Sequence, residues 1–367
     1  MAPPLTVASG VDVDLEITGV SKRFGNVRAL EDCSLTVRRG EQMALLGPSG
    51  CGKSTLLNII AGLDDPDAGE LRIRGAPVAD VPPNRRNIGV VFQSYALFPH
   101  LTLRENVSYG LKVRREPLRV AEERAAEMIA LLKLGGLEHR YPNELSGGQQ
   151  QRAAVARALA IRPVIVLLDE ALSALDKNLR EEMQIELSLL LRRLEVTTIL
   201  VTHDQREAFT IGDRIALMHA GRIVQVGTTQ EVYERPASSF VLDFLGSASA
   251  LPGRVEPGSP PMASTTFGLG FALTAVHRAG LAGTVRLYLR AEDVSLSREP
   301  TAVHRALPAR VALSTFLGAV KRHVVELGGH QVLVDVAAGQ HGPHFAEGDA
   351  VYLLFRPESC FVLLEGD

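Results

Sequence analysis

From Leu15 onward the chain alternates short apolar runs with amphipathic stretches. QMALL at 42–46 reads as a short apolar strand, and residues 54–61 as the helix after it. IGVVF at 88–92, VIVLL at 164–168 and TTILV at 197–201 are continuous apolar runs. Runs of this kind suit strands buried on both faces of a parallel sheet, where neither face meets water. Over 177–195, Leu179, Met183, Leu187, Leu190, Leu191 and Leu194 fall on one stripe with Arg and Glu elsewhere, which predicts an amphipathic helix. Strands alternating with helices predict an α/β domain with a mixed sheet core.

The pattern changes near residue 247. Helical periodicity fades, Gly and Pro become dense in LPGRVEPGSPP, and VRLYLRAEDV, RHVVELGG and AVYLLFRPES read as β-strands. Two phrases recur in the same order: LPGRV at Leu251 with LPARV at Leu307, and LYLRAEDV at Leu287 with LLFRPESC at Leu353. The recurrence predicts a β-barrel-like unit present twice. The expected organisation is a flexible tail over 1–14, an α/β domain over 15–246 with a helical subdomain at about 94–145, and an all-β domain over 247–367.

Length agrees with this division, since 367 residues at ~150 per domain make two or three domains. With 46% hydrophobic and 22% charged residues the chain has enough apolar surface for a large core, which excludes disorder and disulfide scaffolds. A net charge of −3 argues against a general nucleic-acid coat. Cys33, Cys51 and Cys360 form no C-x-x-C pair, so neither a zinc site nor a disulfide framework is expected, in keeping with a reducing compartment. The first residues lack a basic segment and an apolar run, so no secretory signal is expected. No window reaches the ~18 apolar residues of a membrane span. Work at a membrane would require another protein to hold the chain there.

Chemistry enters at residues 47–54, GPSGCGKS, which fit G-x-x-x-x-G-K-[ST] between an apolar strand and a helix. Gly47, Pro48, Ser49, Gly50, Cys51 and Gly52 form a loop whose backbone amides can turn inward at phosphate oxygens. The helix dipole adds positive potential at Ser54 and Thr55. Lys53 can reach the β- and γ-phosphates, and the Ser54 hydroxyl can coordinate Mg²⁺. No N/T-K-x-D guanine-reading element is present. VIVLL ends in Asp169 and Glu170. Asp169 suits Mg²⁺ through a water, and Glu170 suits orienting or deprotonating an attacking water.

LSGGQQQR at 145–152 sharpens the reading. It resembles the LSGGQ signature of ATP-binding-cassette (ABC) ATPases. Ser146, Gly147 and Gly148 stand before a helix predicted over 149–160, so a hydroxyl, bare amides and a helix N-terminus make a second anion site. In the family each ATP lies between the phosphate loop of one subunit and the signature of the other. The resemblance therefore implies that Ser146, Gly147, Gly148 and Gln149 meet the partner's ATP. Other elements match in order. Phe24 in KRFG matches the aromatic that stacks on adenine. Gln93 in VVFQSYALFPH matches the glutamine that senses Mg²⁺ and the attacking water. Asp176 in SALD matches the D-loop, and His203 in LVTHD the switch histidine at the γ-phosphate. One departure is Ala171, where many relatives carry Pro. It leaves Glu170 less restricted, with an effect on turnover expected to stay below ~10-fold.

The resemblance spans about residues 15–365 and ends in strands similar to a TOBE-type domain, a relative of the oligomer-binding fold. It implies the ATPase subunit of a binding-protein-dependent importer, using ATP and Mg²⁺. That subunit works as a homodimer on two membrane permease subunits at the cytoplasmic face of the bacterial inner membrane. An extracytoplasmic solute-binding protein acts indirectly. Tyr95, Phe98 and Leu101 are the expected permease contacts, with packing inside the helical subdomain as the other reading. FLGSASALPGRV resembles the same stretch of polyamine- and sulfate-type relatives, and STFLGAVKRHVVELGG is similar to that of the polyamine and iron group, which implies a polyamine (spermidine/putrescine)-type solute, with sulfate, ferric iron or phosphonate as alternatives. A soluble ABC ATPase acting on nucleic acid or ribosomes is a distant alternative. No nucleic-acid partner is expected, because the β domain has few aromatics and no basic run.

Overall fold

The computed structural model describes residues 12–172, 177–265, 267, 270–274, 281–301, 305–339 and 344–364. They form two compact units that divide between Arg235 and Pro236, earlier than the change of pattern near residue 247. Asp14 is buried, accepting from Thr197 Oγ1 at 2.5 Å and Arg74 Nε at 2.9 Å.

In chain order the first unit begins with β1 (Val13–Phe24), β2 (Val27–Arg38), β3 (Gln42–Leu46), α1 (Lys53–Ala61), β4 (Ala68–Ile73), β5 (Ala76–Pro77) and β6 (Ile88–Val91). A helical stretch follows: α2 (Leu103–Val113), α3 (Leu118–Leu131) and α4 (Gly147–Ala160). The unit closes with β7 (Ile165–Asp169), α5 (Lys177–Arg193), β8 (Thr197–Thr202), α6 (Gln205–Ile211), β9 (Arg214–His219), β10 (Arg222–Thr228) and α7 (Thr229–Glu234).

The larger sheet has the order β10-β9-β3-β8-β7-β6, parallel except for β10. Every residue of β3 and β8 is buried, which is why these segments read as unbroken apolar runs. The threonines of β8 are tolerated there because each hydroxyl has a partner: Asp14, the Val196 carbonyl and Glu207 accept from Thr197, Thr198 and Thr202. A second, antiparallel sheet has the order β2-β1-β4-β5. One core joins both sheets around α1, whose Leu56, Leu57, Ile59 and Ile60 pack with Ile17, Leu35, Met43 and Leu167. Burying each such side chain stabilises by about 1.5–3 kcal/mol, which fixes the direction in which α1 points. At its far end α1 stops on Gly62 with φ 80°. The Arg86 guanidinium, 6% exposed, donates to the carbonyls of Ile59 at 2.7 Å and Ile60 at 3.1 Å. It thereby adds a charged donor to the last carbonyls of the helix, of which Ile59 also accepts from the Gly62 amide.

The pairings Leu46 with Thr202, Asp169 with Val201 and Val91 with Leu168 bring the carboxyl ends of β3, β8, β7 and β6 level. Ligands of open α/β sheets bind along that edge. The predicted phosphate loop, acidic pair, histidine and glutamine are the segments that leave it.

The second unit contains α8 (Ser239–Leu245), β11 (Ala248–Glu256), β12 (Met262–Ser264), β13 (Gly270–Ala272), β14 (Gly283–Arg290) and β15 (Ser295–Ser297). It continues through β16 (Arg305–Phe316), β17 (Val320–Leu327), β18 (His330–Ala337), β19 (Ala350–Phe355) and β20 (Cys360–Leu364). Leu242 of α8 packs on Tyr288 and Leu363, so this helix belongs with the strands. The strands form two five-stranded sheets, β13-β12-β11-β14-β20 and β15-β19-β16-β17-β18. The recurring phrases occupy matching places, with Leu251 opposite Leu287 in one sheet and Leu307 opposite Leu353 in the other. The strand after each phrase crosses over. β15 follows the first copy but pairs with β19, placing Leu296 opposite Leu353. β20 follows the second copy but pairs with β14, placing Val362 opposite Leu287. No described helix is long and apolar enough to cross a membrane.

Candidate active site

The loop between β3 and α1 is sterically committed to glycine. A Cβ at Gly47 would lie 2.3 Å from the Met218 carbonyl oxygen, and one at Gly52 only 2.4 Å from that of Ala29. Gly50 and Gly52 also take φ 78° and 107°, a region open to glycine at little cost. Gly52 caps α1 without a side-chain hydrogen bond, and the first turn holds no acidic residue. The amides around Lys53, Ser54 and Thr55 therefore present an uncontested anion cradle. Lys53 is 5% exposed and its Nζ arches over the loop to the carbonyls of Gly47 at 2.7 Å and Pro48 at 2.9 Å. Phe24 ends β1 opposite Val27, with its ring half exposed and Lys22 Nζ 5.2 Å from the centroid.

Asp169 stands at the tip of β7. Burial pushes its carboxyl pKa upward, and the adjacent Glu170 charge adds to this. Lys53 and a hydrogen bond from Ser54 pull the other way. Its Oδ1 is buried without a partner. An orphaned carboxylate oxygen beside a serine hydroxyl fits a divalent cation that keeps several waters. Among the described residues no group of three His, Cys, Asp or Glu side chains could hold a metal ion.

Glu170 is the point where the separate sequence motifs meet. Gln93 Nε2 donates to one of its carboxylate oxygens at 3.1 Å, and His203 Nδ1 lies 2.9 Å from the other. Its amide donates to the Val201 carbonyl, and its φ of 44° is rare for a residue with a side chain. A proline after it would favour extended backbone at this position. The fully buried Ala171 leaves the left-handed conformation open.

The signature differs from its sequence reading in one respect. α4 starts at Gly147, so both glycines lie in its first turn. Ser146 is the N-cap and accepts from the Gln149 amide at 3.3 Å, while Gln149 Oε1 accepts from the Ser146 amide at 2.9 Å. The S-x-x-Q spacing of a capping box was visible in the sequence and explains the earlier start. Asp176 lies outside the described residues.

Of the three expected permease contacts, Tyr95 does not fit. It is 6% exposed, its hydroxyl is buried without a partner, and burial pushes that hydroxyl's pKa upward. Its sequence position in a turn suggested exposure, but a φ of 61° folds the ring inward. Phe98 and Leu101 are half-buried. The Phe98 ring lies 4.4 Å from that of Tyr109, which is 40% exposed and offers a surface aromatic the sequence reading did not select. Buried Asn106 shapes the intervening turn, accepting from the Phe98 amide and donating to the carbonyls of Phe98, Leu101 and Thr102.

Residues 30–173 match the ABC transporter family, and residues 287–363 match the TOBE domain. A sulfate/thiosulfate import ATP-binding protein, CysA 2 of Chromobacterium violaceum, is 46% identical over 319 residues, covering 87% of this chain and 86% of its own. A spermidine/putrescine import ATP-binding protein, PotA of Thermobifida fusca, is 41% identical over 361 residues, covering 96% and 93%. Among solved structures, the dimeric post-hydrolysis state of the ATP-binding cassette MJ0796 bound to ADP and Pi has a TM-score of 0.53 and 36% identity, over 59% of this chain and 98% of that one. Two loop glycines that admit no Cβ, an acidic strand tip and a capped signature helix thus occur in one cassette, and the chain belongs to the ABC transporter ATPases, its cassette followed by a TOBE domain.

Proposed function

We propose that the chain is the ATP-hydrolysing subunit of an ABC importer, working as a homodimer on two permease subunits. It acts at the cytoplasmic face of the cell membrane, with an extracytoplasmic solute-binding protein delivering the solute. The observation that carries this reading is Glu170 held between Gln93 and His203 at the strand edge that also bears the phosphate loop. Glu170 accepts the proton of the attacking water as general base. Gln93 and His203 each engage one of its oxygens, which fixes the carboxylate plane. His203, whose Nδ1 lies beside Glu170, is the residue that contacts the γ-phosphate. Lys53 and the loop amides bind the β- and γ-phosphates, and Phe24 stacks on adenine. Ser54, Gln93 and, through a water, Asp169 would hold Mg²⁺, which would supply neutralisation of phosphate charge. Ser146, Gly147, Gly148 and Gln149 face the ATP of the second copy, and Asp176 belongs to the same interface. The dimeric MJ0796 cassette supports that pairing. Phe98 and Leu101, with Tyr109 beside them, form the permease-facing groove.

The solute is a small charged molecule. The PotA relatives support a polyamine such as spermidine or putrescine, and the CysA relatives support sulfate or thiosulfate equally. Pull-down from detergent-solubilised native membranes, with mass spectrometry of the partners, tests the whole reading. A multispanning permease is expected. Its companion binding protein should bind spermidine, and binding of sulfate instead would move the solute to the oxyanion reading. Recovery of ribosomal or DNA-repair proteins without a permease would overturn the importer role.

A further inference from the structure

Arg157 lies near the end of α4, the helix that begins at the signature serine. Its side chain leaves that helix for the chain segment just beyond Gln93. Nη1 donates to the Ala96 carbonyl at 2.6 Å and Nη2 to the Tyr95 carbonyl at 2.9 Å. The guanidinium carbon also sits 5.5 Å from the centre of the Phe98 ring. The side chain is half-buried, and that burial lowers the arginine's pKa.

The two carbonyls belong to an unusual turn. Tyr95 and Ala96 are consecutive non-glycine residues with φ of 61° and 46°. Each such residue costs on the order of 1–3 kcal/mol and persists only where its surroundings over-determine it. The only backbone bond holding Tyr95 among the described turn contacts is its amide to the Phe92 carbonyl. The planar fork of an arginine grips two adjacent carbonyls at once, which a lysine cannot do.

We infer that Arg157 is a positioning residue for ATP hydrolysis: it latches the signature helix to the strained turn that aims Gln93 at Glu170. The inference rests on the role proposed above for Gln93. Rigid α4 then connects Ser146 at one end with the Gln93 segment at the other. A change in how the signature is held reaches the Glu170 carboxylate through one side chain, without passing through the central sheet.

The test measures ATP turnover of the full chain for Arg157→Lys, Gln93→Ala and the double variant. Arg157→Lys should lower kcat about tenfold and leave KM for ATP within about twofold, because Arg157 touches no nucleotide-binding residue. In the Gln93→Ala background the same change should alter kcat by less than about twofold, since the residue it positions is gone. Ala96→Gly supplies a rescue. Glycine takes a φ of 46° without strain, so it should restore at least about threefold of the turnover lost in Arg157→Lys. A general loss of folding would lower kcat in both backgrounds and would not be rescued at an exposed alanine. Unchanged turnover in Gln93→Ala would sink the site reading itself. A large effect of Gln93→Ala with a fully additive Arg157→Lys, or no rescue by glycine, would overturn the latch alone.

Discussion

Glu207, on the first turn of α6, is 3% exposed and accepts from Thr202 Oγ1. Burial pushes its pKa from 4.5 up to about 7. Asp204 adds to the rise, while Thr202, Arg180 and His203 oppose it. The folded state therefore keeps a proton that the unfolded chain releases as pH rises from about 4.5. Stability contributed by the neutral group is complete below that pH and falls away up to about 7, by about 3 kcal/mol. Glu207→Gln should match the parent near pH 4.5, exceed it in stability at pH 8 and flatten the slope between, as denaturant titration at several pH values would show. A parallel slope in both proteins would mean that another group carries the dependence. Glu170→Gln should retain ATP binding while lowering turnover by at least about 10²-fold, the usual worth of a general base. Stopped-flow nucleotide binding alongside phosphate release separates the two effects. These residues differ in how visible they were in advance. Glu170, Lys53 and His203 sit in fixed-spacing motifs, whereas Glu207, Asn106 and Arg157 act through contacts made only after folding. Tyr95 was misjudged because a turn-rich segment gives no hint of two left-handed residues in a row.

Elements were readable where one physical demand dominated. Burial on both faces of β3, β7 and β8 leaves unbroken apolar runs, and their limits were predicted within a residue or two. The start of α4 was harder because it depends on a side chain that turns back, as Gln149 does onto Ser146. The end of α1 at Ala61 was read correctly, but the side chain that caps it was not foreseen. Arg86 looks like an ordinary surface arginine in VPPNRRNIG, yet it is buried against the last carbonyls of α1. Arg86→Met keeps much of the stem's packing but leaves the carbonyls of Ile59, Ile60 and Val81 without that donor. We expect a loss of about 3 kcal/mol in the cassette's unfolding free energy. Urea titration followed by a cassette-specific probe measures it, and a change below about 1 kcal/mol would show that water satisfies these carbonyls as well as the guanidinium does.

At the scale of the whole molecule, two phrases repeated in the sequence become two strand pairs in equivalent registers. The repeat was legible, because Leu251 and Leu307 begin the same five-residue pattern. The crossing of β15 and β20 was not, since short strands carry no mark of which edge they will join. Ending the chain after Ser359 removes β20 and uncovers the edge of β14. The second unit should then lose its cooperative transition, and amides of β14 should lose hydrogen-exchange protection, while the cassette melts as before. Protection of β14 in the shortened chain would show that the crossing is dispensable. The same crossing constrains how this unit is made. The sheet begun by β11 receives its closing strand only when residues 360–364 have left the ribosome, so the earlier half must wait, half-edged, through the synthesis of the later one. Its uncovered strand β14 is during that interval an open edge of the kind that pairs with other strands, until β20 closes it.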